Sequence, residues 1–263
     1  MTIKGIDERS GRRLSGVLIL HGFTANLDSV RELFGPLGQT GLEVSAPLLR
    51  GHGQESPEHL RGVTWQDWLE DAEQAMNALA GNDGRVIVIG HSMGALLALH
   101  LAARHPELID SLVLATPPIR LVSPLAPGGP LHFLSGLVSM LVDRWDLTPC
   151  FADLHNAIIP ENYRWAPTRS IISLFDLVTA TLPVMRDVCA PVLVIHGRSE
   201  SIVMPESADL VMQAISTPPG EKSVVWLEKS DHQVFCDCER HRAVGAVREF
   251  VIGRVASSAL LQV

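Results

Sequence analysis

Apolar residues fall into short continuous runs separated by longer segments of helical period. Val17-Leu18-Ile19-Leu20, Val86-Ile87-Val88-Ile89, Leu112-Val113-Leu114-Ala115 and Val192-Leu193-Val194-Ile195 are apolar at every position. Runs of this length fit strands buried on both faces, as in a parallel sheet. Leu42 to Ala46 and Ser223 to Leu227 are weaker candidates of the same kind. Between the runs, the spacing predicts a helix from an N-cap at Asp28 to about Thr40, stopped by Gly41. A second starts after Thr64, carries Trp65, Trp68, Leu69, Ala72, Ala75, Met76 and Leu79, and stops at Gly81 and Asn82. Met93 to Arg104, Pro205 to Ile215 and Arg240 to Arg254 complete the set. Strand and helix alternate, which predicts an α/β fold with a mainly parallel central sheet and helices on both faces.

One region breaks the alternation. From about Thr116 to Asp187 no strand is evident. It opens with Pro117, Pro118, Pro124, Pro127, Gly128, Gly129 and Pro130, and helical candidates follow at Leu131 to Trp145 and Thr168 to Thr181. A segment this long between two core strands is more than a loop. The expected organisation is a core of residues 1–116, an inserted helical cap of residues 117–186, and the rest of the core in residues 187–263.

Composition narrows the function class. A chain of 263 residues can bury a large core, and its hydrophobic share of 46% is ordinary for a globular protein. The formal net charge of -8 and the lack of a basic cluster argue against a nucleic-acid surface. Lys4, Asp7, Glu8 and Arg9 stand where a signal peptide would be apolar. No run approaches the roughly 18 apolar residues of a membrane span, so a cytoplasmic protein without stable membrane insertion is expected. The four cysteines, Cys150, Cys189, Cys236 and Cys238, are too few for a disulfide scaffold. Cys236 and Cys238 lie near His232 and His241, but that spacing matches no structural zinc site, and no metal is expected.

The chemistry concentrates at Gly90-His91-Ser92-Met93-Gly94. This fits G-x-S-x-G with a buried strand before it and a helix after it. Such an elbow lifts the serine hydroxyl above the sheet edge, and the helix N-terminus favours developing negative charge. Side chains at the glycines would collide with neighbouring backbone. A serine hydroxyl is a weak nucleophile and needs a base, with an acid to orient the base. In the chain order Ser, acid, His, the base should follow the last strand. His232 in Lys229-Ser230-Asp231-His232 is in that place; His196 and His241 are the competitors. Glu200 is the only carboxylate in the turn after Val192 to Ile195. Asp231 is the alternative acid, although it adjoins the base. The turn after the preceding strand, Thr116-Pro117-Pro118, offers no carboxylate. Acyl transfer also needs two backbone donors for the oxyanion. Met93, after the nucleophile, and Phe23, after the first strand, are the expected pair.

Four segments together resemble the α/β-hydrolase superfamily, and within it the bacterial carboxylesterases and monoacylglycerol lipases. They are Leu20-His21-Gly22-Phe23-Thr24, Arg50-Gly51-His52-Gly53, Thr64-Trp65-Gln66-Asp67-Trp68 and the serine elbow. The resemblance implies a capped site, hydrolysis without a cofactor, and small-molecule acyl esters or monoglycerides as substrates. The chain departs from the family at Glu200, where the family usually has Asp. Thioesterase, amidase and acyltransferase chemistry use the same machinery, and a ligand receptor of the same fold is a further class. A serine at the elbow argues against the aspartate-nucleophile dehalogenases and epoxide hydrolases. In the cap, Phe133, Leu134, Leu137, Val138, Leu141, Val142 and Trp145 recur at helical spacing. A helix packed on the core accounts for that spacing, and Leu137, Met140 and Leu141 are candidates to line an apolar acyl pocket for short to medium chains. A neutral or alkaline optimum is expected, because the base must be uncharged. The oligomeric state, monomer or dimer, is open.

Overall fold

The computed structural model describes residues 13–148 and 150–260. The N-terminal charges noted above lie outside the described residues. Six strands form one parallel sheet: β1 (Arg13–Leu20), β2 (Glu43–Ser45), β3 (Gly84–His91), β4 (Ile109–Ala115), β7 (Val192–Gly197) and β8 (Lys222–Leu227). Their order is β2-β1-β3-β4-β7-β8. Two short strands lie outside it, β5 (Arg144–Asp146) and β6 (Trp165–Pro167), paired antiparallel. The helices are α1 (Phe34–Gly38), α2 (Trp65–Ala80), α3 (Met93–Arg104), α4 (Ser135–Leu141), α5 (Thr168–Val184), α6 (Glu206–Ala214) and α7 (Arg240–Leu260).

The apolar runs are continuous because both sheet faces are covered. Successive side chains of a strand point to opposite faces. Leu18, Leu20, Val86, Val88, Leu112, Leu114, Val192 and Val194 therefore enter one core, with α2, α3, α5 and α6. Val17, Ile19, Ile87, Ile89, Val113, Leu193 and Ile195 enter the other, with α1 and α7. Burying one such side chain is worth about 1.5–3 kcal/mol, so the two cores dominate the stability of the fold.

The helix ends follow local chemistry. Asp67 accepts from the N–H of Thr64 at 2.8 Å and from its hydroxyl at 2.7 Å, fixing the start of α2, and Gly81 ends it with φ 60°. The expected helix from Asp28 to Thr40 is divided. Asn26, not Asp28, caps it by accepting from Asp28 N–H at 2.8 Å, and Leu27–Leu33 is a 3-10 helix ahead of the short α1. Pro36 has no N–H to give to the Glu32 carbonyl, so it is accommodated in the first turn of α1 and not in the interior of one α-helix running from Asp28.

The region between β4 and β7 also differs from expectation. The single helix predicted over Leu131 to Trp145 breaks into a 3-10 turn (His132–Leu134), α4 and β5. Val142 turns extended at φ -112° and ψ 109°, and β5 pairs with β6 instead of continuing the helix. Thr168–Asp187, which is α5 and the turn after it, is long and apolar enough to cross a membrane. In the fold its apolar side chains are shared between the core, through Leu177 and Val178, and a cavity described below.

Candidate active site

In a parallel sheet every strand ends on the same side, so the loops after β1, β3, β7 and β8 meet there. Each contributes one part of a single cluster. Ser92 directly follows β3 and has φ 53°, a backbone conformation that L side chains rarely adopt. The elbow tolerates no bulk. A Cβ on Gly90 would stand 2.2 Å from Gly94 O, and one on Gly94 would stand 2.2 Å from Leu20 O. The loop after β8 carries His232, whose Nε2 accepts from the Ser92 hydroxyl at 2.9 Å. The loop after β7 carries Glu200, whose two oxygens each lie 3.0 Å from His232 Nδ1. The structure therefore aligns serine, imidazole and carboxylate in one chain.

The alternative acid is committed elsewhere. Asp231 Oδ1 accepts from Ser201 N–H and from His232 N–H, both at 2.7 Å, and so shapes the turn rather than meeting the imidazole. Glu200 is held by its own loop, through Ile202 N–H at 3.0 Å and Val203 N–H at 3.2 Å. These bonds fix the carboxylate opposite Nδ1 despite the extra methylene. The competing histidines take other places: His241 is in α7, and His196 Nδ1 bonds Gly197 O at 2.9 Å below the acid's loop.

Electrostatics follow from this packing. Burial works against charge on Glu200, but the attraction of His232 and the hydrogen bonds from His232, Ile202 and Val203 outweigh it and lower its pKa. Burial likewise works against a charged His232, but Glu200, with a smaller contribution from Asp231, raises its pKa above the ordinary 6.5. The proton is thus held on the imidazole and not on the carboxylate, which orients Nδ1–H toward Glu200 and leaves Nε2 free to accept.

Two residues that the motif alone did not explain support this cluster. His91 Nε2 donates to the His232 carbonyl at 2.9 Å, fixing the backbone of the candidate base. Burial holds His91 neutral, with a pKa of about 4. His21 does the same for the loop after β1. Its Nε2 accepts from Leu49 N–H at 3.1 Å, so Nδ1 carries the proton and donates to Gly22 O at 2.9 Å. Beside it, the His52 ring lies 6.0 Å from Phe23 and 5.6 Å from Trp68, edge-on to both. Trp68 Nε1 donates to Arg50 O at 3.1 Å, and Arg50 is paired with Asp67 and Asp71 at 2.8 Å each. The quoted segments around His21, His52 and Trp68 therefore form one brace behind Phe23. Met93 is the first residue of α3, so its N–H has no intrahelical partner.

Ser92 and His232 open into a cavity of about 390 Å³. Ile171, Leu174 and Phe175 of α5, with Leu147, Phe151 and Val138, make much of its wall. The expectation for Leu137, Met140 and Leu141 is corrected here. They are 54%, 75% and 77% exposed and do not line this cavity. In this two-turn helix only one face meets the site, and Ser135 and Val138 occupy it. The pocket signal in the sequence was instead the Ile171-Ile172 face of α5. Among the described residues no three His, Cys, Asp or Glu side chains gather closely enough to hold a metal ion. The Sγ of Cys236 lies 3.4 Å from Ser29 O, in the core.

Known proteins share this arrangement of chain. A thermostable monoacylglycerol lipase of Bacillus sp. (strain H-257) is 29% identical over 239 residues, 89% of each chain. A carboxylesterase of Bacillus subtilis is 26% identical over 257 residues, covering 95% of this chain and 94% of its own. A solved structure from LipS and LipT, two metagenome-derived lipolytic enzymes, has a TM-score of 0.81 at 25% identity, covering 92% of this chain and 94% of its own. The family described as serine aminopeptidase, S33, matches residues 12–239. The chain belongs to that family of α/β-hydrolases and is a hydrolase of the lipase and esterase type.

Proposed function

We propose that the protein is a carboxylic ester hydrolase acting on small-molecule esters of short to medium acyl chains, with Ser92 as nucleophile, His232 as base and Glu200 as the acid behind it. The observation that carries this reading is the continuous Ser92–His232–Glu200 chain opening into a mostly apolar cavity. His232 takes the Ser92 proton as the oxygen attacks the ester carbonyl. The oxyanion is received by the N–H groups of Phe23 and Met93, where one such donor is worth about 3–4 kcal/mol. His232 then protonates the departing alcohol. Water repeats the sequence on the acyl-enzyme and releases the acid. No step draws on a cofactor.

The cavity wall favours an ester over an aminopeptidase substrate. An aminopeptidase must hold a free ammonium, and among the described lining residues none is Asp or Glu. The segment between β4 and β7 serves as the cap in this reading, with α5, residues 145–148 and residues 150–163 enclosing the acyl group. Hydrolysis of p-nitrophenyl esters from acetate to palmitate, by wild type and Ser92→Ala side by side, tests the proposal. Turnover should fall on the order of 10⁶ in the alanine variant. Turnover should also peak at a short to medium chain. Wild type that hydrolyses none of these esters, or an alanine variant that keeps its rate, refutes it.

A further inference from the structure

Tyr163 is the single tyrosine of the chain and stands in the segment between β4 and β7. It bonds both stretches of backbone that shape the Phe23 loop. Its own N–H donates to Thr24 O at 2.9 Å. Its hydroxyl donates to Gly51 O at 3.0 Å and accepts from Gln54 N–H at 2.9 Å, so it clasps the turn on either side of His52. Two residues earlier, Glu161 O accepts from Asn26 Nδ2 at 3.1 Å.

The loop needs such a clasp. Thr24 has φ 61°, a region that a β-branched residue occupies only under constraint. Rotation of Thr24 back to negative φ would turn the Phe23–Thr24 peptide and re-aim the Phe23 N–H beside it. Two contacts oppose that rotation. One is the Tyr163 N–H on Thr24 O. The other is the His52 ring against Phe23, held in the turn that the Tyr163 hydroxyl closes. We propose that Tyr163 is a positioning residue for the oxyanion hole: it latches the segment between β4 and β7 to the Phe23 loop and keeps the Phe23 N–H aimed at the reacting carbonyl. The inference rests on the ester-hydrolase reading and adds that closure over the cavity and alignment of the oxyanion donor are one event.

The test compares wild type, Tyr163→Phe and the double variant Tyr163→Phe/Thr24→Gly. Phenylalanine keeps the ring and removes both hydroxyl bonds; circular dichroism melting checks that each variant is folded. The readouts are kcat, KM and inhibition by an alkyl trifluoromethyl ketone, which adds to the serine and places an oxyanion on the two donors. The matching methyl ketone, which forms far less adduct, is the control. One complete donor contributes about 10²–10³ in kcat, so a donor held less firmly should lose roughly tenfold. Tyr163→Phe should lower kcat and trifluoromethyl ketone affinity by that same factor, with KM and methyl ketone binding within about twofold. Glycine adopts positive φ without constraint, so the double variant should recover most of the loss. An unchanged kcat, a fall in kcat without a fall in trifluoromethyl ketone affinity, or a double variant no better than the single one overturns the latch. Wild type without ester turnover removes the reading beneath it, whereas turnover insensitive to Tyr163→Phe removes the latch alone.

Discussion

At the residue scale, the Glu200–His232 contact decides how activity depends on pH. Glu200 raises the His232 pKa against the effect of burial. In the free enzyme, kcat/KM should therefore fall on the acid side at a pH above the ordinary imidazole value. Glu200→Gln removes the carboxylate's charge. Burial then prevails, the His232 pKa drops, and the acid limb should move to lower pH. The rate should drop on the order of 10⁴ in kcat, because the amide no longer stabilises the imidazolium or enforces the tautomer. A pH profile of kcat/KM for wild type and variant measures both; an acid limb that stays in place would redirect attention to Asp231. Ser92, His232 and Glu200 were legible because apolar runs mark the strand ends, and each run is followed by few residues able to do the chemistry. Leu137, Met140 and Leu141 were misplaced because apolar spacing shows that a helix has a face and not what the face meets. Tyr163 left no signal, since all three of its hydrogen bonds go to backbone groups.

At the element scale, β1, β3, β4 and β7 were plainly legible because a doubly covered parallel sheet writes unbroken apolar runs into the chain. The edge strands β2 and β8 wrote weaker ones, and of the helices between core strands α2, α3 and α6 were legible while the one before β2 was not. The β5–β6 pair was not. Each strand is three residues long, and its pairing depends on a partner about twenty residues away. Also hidden was the ionic tie at the start of β4. Asp110, almost fully buried, accepts from Arg85 of β3 at 2.9 Å and from Arg254 Nε of α7 at 2.8 Å. It joins two strands to the last helix at the sheet end opposite Ser92. Nothing local in Ile109-Asp110-Ser111 announces a buried carboxylate with two arginine partners. Asp110→Ala should destabilise the fold by about 3–5 kcal/mol, because Arg85 is left buried without a counter-charge. Urea unfolding of the variant measures this, and ester hydrolysis below the transition should stay near wild type, because the site lies at the other end of the sheet.

At the scale of the whole molecule, the buried histidines make the fold sensitive to acid. Burial lowers His21, His91 and His100 to a pKa of about 4 and His52 to about 3, against an ordinary 6.5. The unfolded chain binds protons that the folded chain excludes. Stability is thus complete above 6.5 and declines as pH falls toward these depressed values, by about 1.4 kcal/mol per pH unit for each histidine. His232 works in the opposite sense, because its raised pKa favours proton uptake by the folded state. Burial lowers His196 in the same sense as the other four, so five groups against one give a net loss, and the urea midpoint should fall steeply between pH 6.5 and about pH 5. A midpoint flat over that range would show that these rings gain protons without unfolding. The same architecture sets the order in which function arises. Ser92 and its candidate base are 140 residues apart in sequence. A nascent chain that has folded β1, β3 and β4 already has a strained serine at the head of α3, yet nothing to withdraw its proton. On the proposed reading, the candidate nucleophile is built early and armed late, so partly made molecules stay chemically silent until the final strand of the sheet has docked.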